Sequence, residues 1–176
     1  MGDSKCTESD TIMVLPQVMA PIIKPESSGP FENGTDVTIS CNTAGSTIYW
    51  TDDGQEPTTE SRVYLGPISV TRTNTIIKAF AVADRQTDSP ITVSNAYKIT
   101  PLLPVFMPDG GTYVQSVDVG ISCTTPDAVV YYTEDGSTPT TDSHVYSKSI
   151  TISETKTVIK AMALHPDMDN SEVAES

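Results

Sequence analysis

The feature that most constrains this chain is a displaced copy of itself. Shifted by 82 residues, positions 29–89 lie on positions 111–171 without a gap, and 25 of the 61 pairs are identical. The identities fall in three blocks. Asp36, Val37, Ile39 and Cys41 lie on Asp118, Val119, Ile121 and Cys123; a turn block runs from Tyr49 to Tyr64 and again from Tyr131 to Tyr146; a third runs from Thr73 to Ala81 and from Thr155 to Ala163. Upstream the match continues after a one-residue slip, with Pro21 and Pro25 on Pro104 and Pro108. Such a period is too long for a solenoid unit and suits a complete small sandwich domain.

Within each unit the apolar spacing is two. Val37, Ile39 and Cys41 alternate with Thr38 and Ser40, so one face is buried and the other wet, and Val119, Ile121 and Cys123 repeat the pattern. In the run Ile76 to Val82, Ile77, Ala79 and Ala81 share one side, where the alanines allow a facing sheet to approach closely. Phe80 and its counterpart Met162 fall on the other side, beside Lys78, and are expected under a loop or against the neighbouring unit. Turn signals recur every 8 to 12 residues, among them Glu32-Asn33-Gly34, Asp53-Gly54 and Gly66-Pro67. Strands are expected near 21–24, 35–41, 46–52, 67–71, 75–83 and 92–99, with equivalents in the second unit and no helix.

The expected fold is therefore all-β: two tandem immunoglobulin/fibronectin-III-like antiparallel β-sandwiches. Residues 1–20 read as a flexible or incoming segment, 21–99 as the first unit, 100–103 as a linker and 104–176 as the second unit. Three prolines between Lys98 and Pro108 predict a semi-rigid connection with the units in line.

Composition narrows the partners. With 23 acidic against 10 basic residues, the formal charge of −13 repels a nucleic-acid polyanion, which leaves solubility, a cation-binding surface or a basic protein partner. No run of 18 apolar residues spans a membrane. Cys6, Cys41 and Cys123 form no disulfide framework; the last two occupy one repeat position and are expected buried in separate cores, all three as free thiols. The opening residues lack a basic-then-apolar leader, so if Met1 is the native start an intracellular compartment is favoured.

The most distinctive residues are Val130-Tyr131-Tyr132-Thr133-Glu134-Asp135-Gly136-Ser137-Thr138-Pro139-Thr140, followed by Ser143 and Tyr146 and then by Thr157, Ile159, Lys160, Ala161 and Ala163. The first unit repeats them with Gln55-Glu56 in place of Ser137-Thr138, and the second opens on the turn Gly111-Thr112-Tyr113. This signature resembles the chitobiase/β-hexosaminidase C-terminal domain family, over residues 21–176. The resemblance implies fibronectin- or immunoglobulin-like sandwiches that act as tandem accessory modules, with no catalytic residues to carry over. One departure stands out. The first unit ends with a strand over 93–99, whereas Ser176 is the counterpart of Ser94, so the second sandwich is expected to lack its last strand. The chain is then a fragment, or its N-terminal segment or a second copy fills the gap.

Two sets of residues are candidates for a site. The acidic turns at Asp52, Asp53 and Gly54 and at Glu134, Asp135 and Gly136 offer carboxylates to a hard cation, but adjacent carboxylates on a strand point apart. The structural reading is the stronger: Asp53 and Asp135 bond amides two residues on, Gly54 and Gly136 supply a positive φ, and Pro57 and Pro139 stiffen the exit. The aromatic pairs Tyr49-Trp50 and Tyr131-Tyr132 each place one ring inward and one outward; an outward ring could stack on a sugar or contact a partner, while a lone sandwich Trp is more often a core anchor. His144 and His165 have no histidine counterparts, and no nucleophile motif or cofactor-binding loop is present. The sequence thus predicts no enzyme and no cofactor, but a spacer or protein-interaction segment of a larger protein, with a carbohydrate-binding accessory module as the alternative.

Overall fold

The structure, a computed structural model, describes residues 14–26 and 28–176. The first unit runs through β1 (Ile22–Lys24), β2 (Phe31–Glu32), β3 (Thr35–Ser40), β4 (Thr47–Thr51), β5 (Arg62–Val63), β6 (Ile68–Val70), β7 (Lys78–Val82), β8 (Thr92–Val93) and β9 (Ile99–Thr100). A three-stranded sheet, β1-β3-β6, packs on a four-stranded sheet, β5-β4-β7-β8, and β2 pairs with β9 in parallel at one end. The second unit runs through β10 (Val105–Met107), β11 (Val117–Ser122), β12 (Val129–Thr133), β13 (His144–Val145), β14 (Ile150–Ile152), β15 (Lys160–Leu164) and β16 (Ala174–Glu175). It rebuilds both sheets, as β10-β11-β14 and β13-β12-β15-β16. Among the described residues there is no helix.

Each core lies between its two sheets and follows from the period-two pattern. In the first unit Val37 and Ile39 of β3 meet Trp50 of β4 and Ala79 of β7. In the second, Val119 and Ile121 meet Val130 and Ala161. The alanines have a local reason. Across the β4–β7 ladder Trp50 sits opposite Ala79 and Ile48 opposite Ala81, so a large side chain projects over a small one. Tyr132 opposite Ala161 and Val130 opposite Ala163 repeat the arrangement. All four alanines are completely buried.

A buried serine completes the edge of each four-stranded sheet. The Ala81 amide donates to Ser89 Oγ at 2.8 Å, the Ser89 amide donates to the Ala81 carbonyl at 2.9 Å, and the Ser89 hydroxyl donates to the Pro90 carbonyl at 2.9 Å. Ala163, Ser171 and Glu172 make the same three bonds. A hydroxyl that both accepts and donates leaves no buried polar atom of its own unpaired.

Three expectations change. Phe80 and Met162 are buried although they lie on the side away from the core, because the cross-strand tyrosines Tyr49 and Tyr131 lie beside them. The Tyr49 and Phe80 rings stack at 5.7 Å, so the neighbouring strand covers Phe80 rather than a loop or the other unit. Cys41 and Cys123 are free but only half-buried, not core residues. The regular alternation of β3 and β11 ends at Ser40 and Ser122, and each thiol instead donates to a carbonyl of the incoming segment: Cys41 to Met19 at 3.2 Å, Cys123 to Leu102 at 3.3 Å. Cys6 lies outside the described residues.

The third change concerns the last strand. Residues 93–99 do not form one strand: β8 ends at Val93, Tyr97 bridges Thr75, and β9 begins at Ile99. The counterpart of β8 is present as β16, paired with β15, so both sheets of the second sandwich are complete in strand number. What the register places past Ser176 is the counterpart of 97–100, the piece that carries Tyr97 and β9.

That piece also forms the joint between the units. Ile99 and Thr100 belong to β9, Pro101 and Pro104 are fully buried, and the Leu102 amide donates to Thr125 Oγ1 of the second unit at 2.8 Å. The Asp169 amide donates to the Ile99 carbonyl at 2.8 Å and the Thr73 amide to the Asp167 carbonyl at 2.9 Å. Thr125 Oγ1 lies 2.6 Å from Asn33 Oδ1, Arg72 pairs with Asp167 at 3.8 Å, and Met168 packs on the first core. Segment 16–18 sits on the first unit in a related way: Gln17 bridges Thr87 and Val18 is buried.

Candidate functional site

The duplicated corner is built by strands β4 and β5, and again by β12 and β13, with the acidic turn between them. In the first unit Asp53 Oδ1 accepts the Gln55 amide at 3.0 Å, Gly54 has φ +83°, and Thr51 Oγ1 donates to the Gln55 carbonyl at 2.7 Å. In the second, Asp135 Oδ1 accepts both the amide (3.0 Å) and the hydroxyl (2.6 Å) of Ser137, Gly136 has φ +76°, and Thr133 Oγ1 donates to the Ser137 carbonyl at 2.6 Å. The bonds from Ser137, its hydroxyl first and then its amide, hold the Asp135 carboxyl below its usual pKa.

The exit repeats just as closely. Pro57 and Pro139 are buried. The Thr58 and Thr140 amides donate at 2.9 Å to Ser61 Oγ and Ser143 Oγ, and the Tyr64 and Tyr146 amides return at 2.8 Å to the carbonyls of Ile48 and Val130. The identical residues of the signature are thus occupied in closing this corner.

The remaining carboxylates do different things in the two copies. Asp52 pairs with Arg62 across the strands, while Lys78 Nζ donates to the Gly54 carbonyl at 2.7 Å. Lys160, the counterpart of Lys78, turns instead to Glu175 at 3.3 Å. Asp52, Asp53, Glu134 and Asp135 do not converge with other ligands: among the described residues no group of three or more His, Cys, Asp or Glu is placed to hold a metal ion.

The aromatics divide by strand alternation. Trp50 is in the first core, and the Arg62 guanidinium lies 4.1 Å over its ring, which closes the side toward solvent. Tyr132 packs on the second core, edge-on to Tyr146 at 6.3 Å and tilted against His144 at 5.5 Å. Burial, and after it the nearby Glu134 and Tyr146, push the Tyr132 hydroxyl above its usual pKa. Tyr49 and Tyr131 take the opposite face, half-buried beside Phe80 and Met162.

Sequence reasoning passed over the joint. Its residues carry one readable signal: Thr125 has an identical counterpart in Thr43, and Thr43 Oγ1 accepts the Met19 amide at 2.9 Å as Thr125 Oγ1 accepts that of Leu102. Arg72 and Asp167 left no such trace, because their counterparts are Glu154 and Arg85.

Two sandwiches of one design, joined through a shared strand, with their distinctive polar residues engaged in turns, define a tandem accessory β-sandwich module. The chain belongs to the chitobiase/beta-hexosaminidase C-terminal domain family, whose model matches twice, at residues 26–94 and 108–175. The family is a non-catalytic accessory domain of larger chains. A search of curated proteins finds no match. No helix among the described residues is long and apolar enough to cross a membrane.

Proposed function

We propose that the two units serve as a structural spacer and protein-interaction segment of a larger protein, holding flanking parts at a set separation. The observation that supports this reading is the joint. Segment 97–104 is not a free tether: it closes the first sandwich through Tyr97 and Ile99 and anchors the second through Pro104 and the Leu102–Thr125 bond. Relative motion of the units would have to break backbone bonds at Ile99 and Thr73 together, each worth about 1 kcal/mol net.

The test places spin labels at Leu65→Cys and Ser147→Cys, exposed equivalents in the two units, with the native cysteines changed to Ser. A single narrow distance distribution is expected from pulsed electron-electron resonance. A broad distribution, as from a flexible tether, refutes the spacer.

A second reading, a carbohydrate-binding accessory module, draws on Tyr49 and Tyr131, which take the outer face at the same repeat position. Retention on chitin, cellulose or starch that falls with Tyr131→Ala favours it; no retention on any of the three removes it.

A further inference from the structure

At its free end the second unit has a groove of about 510 Å³, between Tyr113 and the Glu154 loop, with Val119, Ile152 and Ile159 among its lining. The repeat explains its shape. Val119, Ile152 and Ile159 are the counterparts of Val37, Val70 and Ile77, which share the first core with Tyr97 and Ile99. In the first unit, therefore, this place is filled by the strand that makes the joint.

The chain carries another segment of the same kind. The Thr87 amide donates to the Pro16 carbonyl at 2.9 Å, as the Asp169 amide does to Ile99. Met19 is bonded to Thr43 as Leu102 is to Thr125. Residues 14–17 thus stand to the first unit as 97–100 stand to the second. Their other side is open: Val14, in the place of Tyr97, is 89% exposed and Leu15 is 42% exposed.

We propose that residues 14–17 of one copy enter the groove of a second copy, so that copies join head to tail by rebuilding the internal joint. Backbone chemistry permits it. At the internal joint the Phe31 and Asn33 amides donate to the carbonyls of Lys98 and Thr100, and the Lys98 amide donates to Ser28. The counterparts of Lys98 and Thr100 are Leu15 and Gln17, which keep their amides; Pro16, which has none, falls on Ile99, which donates none of these bonds.

Charge supports the same pairing. The internal joint sets Arg72 against Asp167, and the corresponding faces of two copies set Glu154 against Arg85, the same pair with its signs exchanged. Gln115 has φ +74° where Asn33 has +59°, so the turn that faces Thr125 internally is formed again to face Thr43. A joint of this kind does not close on itself and extends copy by copy.

The proposal rests on the spacer reading and names its partner as a further copy. Sedimentation velocity across micromolar to millimolar concentrations should show reversible growth beyond the monomer. Glu154→Arg and Arg85→Glu should each weaken it about tenfold by setting like charges together, and mixing the two variants should restore it. Val14→Asp should abolish it. All three positions are exposed or half-exposed, and an unchanged melting curve verifies folding. A monomer throughout, or growth indifferent to these substitutions, overturns the proposal. The intrachain label distance is untouched by them, so head-to-tail joining and the spacer fail separately.

Discussion

Replacing Tyr97 tests whether the piece following β8 belongs to the first sandwich. The ring is 1% exposed, lies in the first core, sits 6.2 Å from Phe31, and donates its hydroxyl to the Pro25 carbonyl at 3.2 Å. Tyr97→Phe keeps the ring and removes one hydrogen bond, a loss of about 1 kcal/mol. Tyr97→Ala removes the ring as well, a loss of about 3–5 kcal/mol for a buried aromatic. At about 4–8 °C per kcal/mol for a unit of this size, the expected shifts are about 5 °C and about 15 °C or more. The assay is favourable because Trp50 is the only tryptophan and lies in the first core, so its fluorescence follows the first unit while far-ultraviolet circular dichroism follows both. The fluorescence transition should move and the second unit's share of the dichroism should lag behind it. Burial also raises the Tyr97 pKa above 10.0, so the folded state holds the phenol proton more tightly than the unfolded chain does. That stability is complete below about pH 10 and is lost as the pH rises through the folded value, a loss Tyr97→Phe should not show. A Tyr97→Ala chain melting within about 2 °C of the parent would refute the assignment of 97–100 to the first core.

Gly29→Ala should destabilise the first unit by about 2–4 kcal/mol, read by Trp50 fluorescence in urea: Gly29 has φ +96°, and an added Cβ would lie 2.6 Å from the Lys98 carbonyl oxygen. Asp135, held below its usual pKa by Ser137, should contribute stability above the ordinary carboxyl range, lost as pH falls through the lowered value; an acid titration of Asp135→Asn by circular dichroism should lack that loss.

The sheets were legible because their signal is local. Alternation along β3 and the duplicated turn each lie within a few residues, and a repeat at fixed offset tests every such reading twice. Phe80 was misplaced because alternation assigns a side chain to a face without saying what covers that face, and Tyr49 lies 31 positions away. The thiols were misplaced because a period-two pattern does not mark its own end: Cys41 continues the alternation of β3 in sequence but leaves the ladder in space. The corner was readable from Asp53, Gly54 and Pro57 through turn chemistry. The joint was not, since Arg72 meets Asp167 across 95 positions and the repeat conserves opposition of charge rather than residue type.

The shared strand also sets how such a chain can change length over evolutionary time. Segment 97–100 is both the closing piece of one sandwich and the lead-in to the next, so no point in the chain separates two self-sufficient genes for a sandwich. Recombination that adds or removes a whole period, cut anywhere, leaves every internal seam intact. Any other crossover strands an aromatic-bearing segment from the pocket shaped for it, so copy number can drift freely while the phase of the period is held.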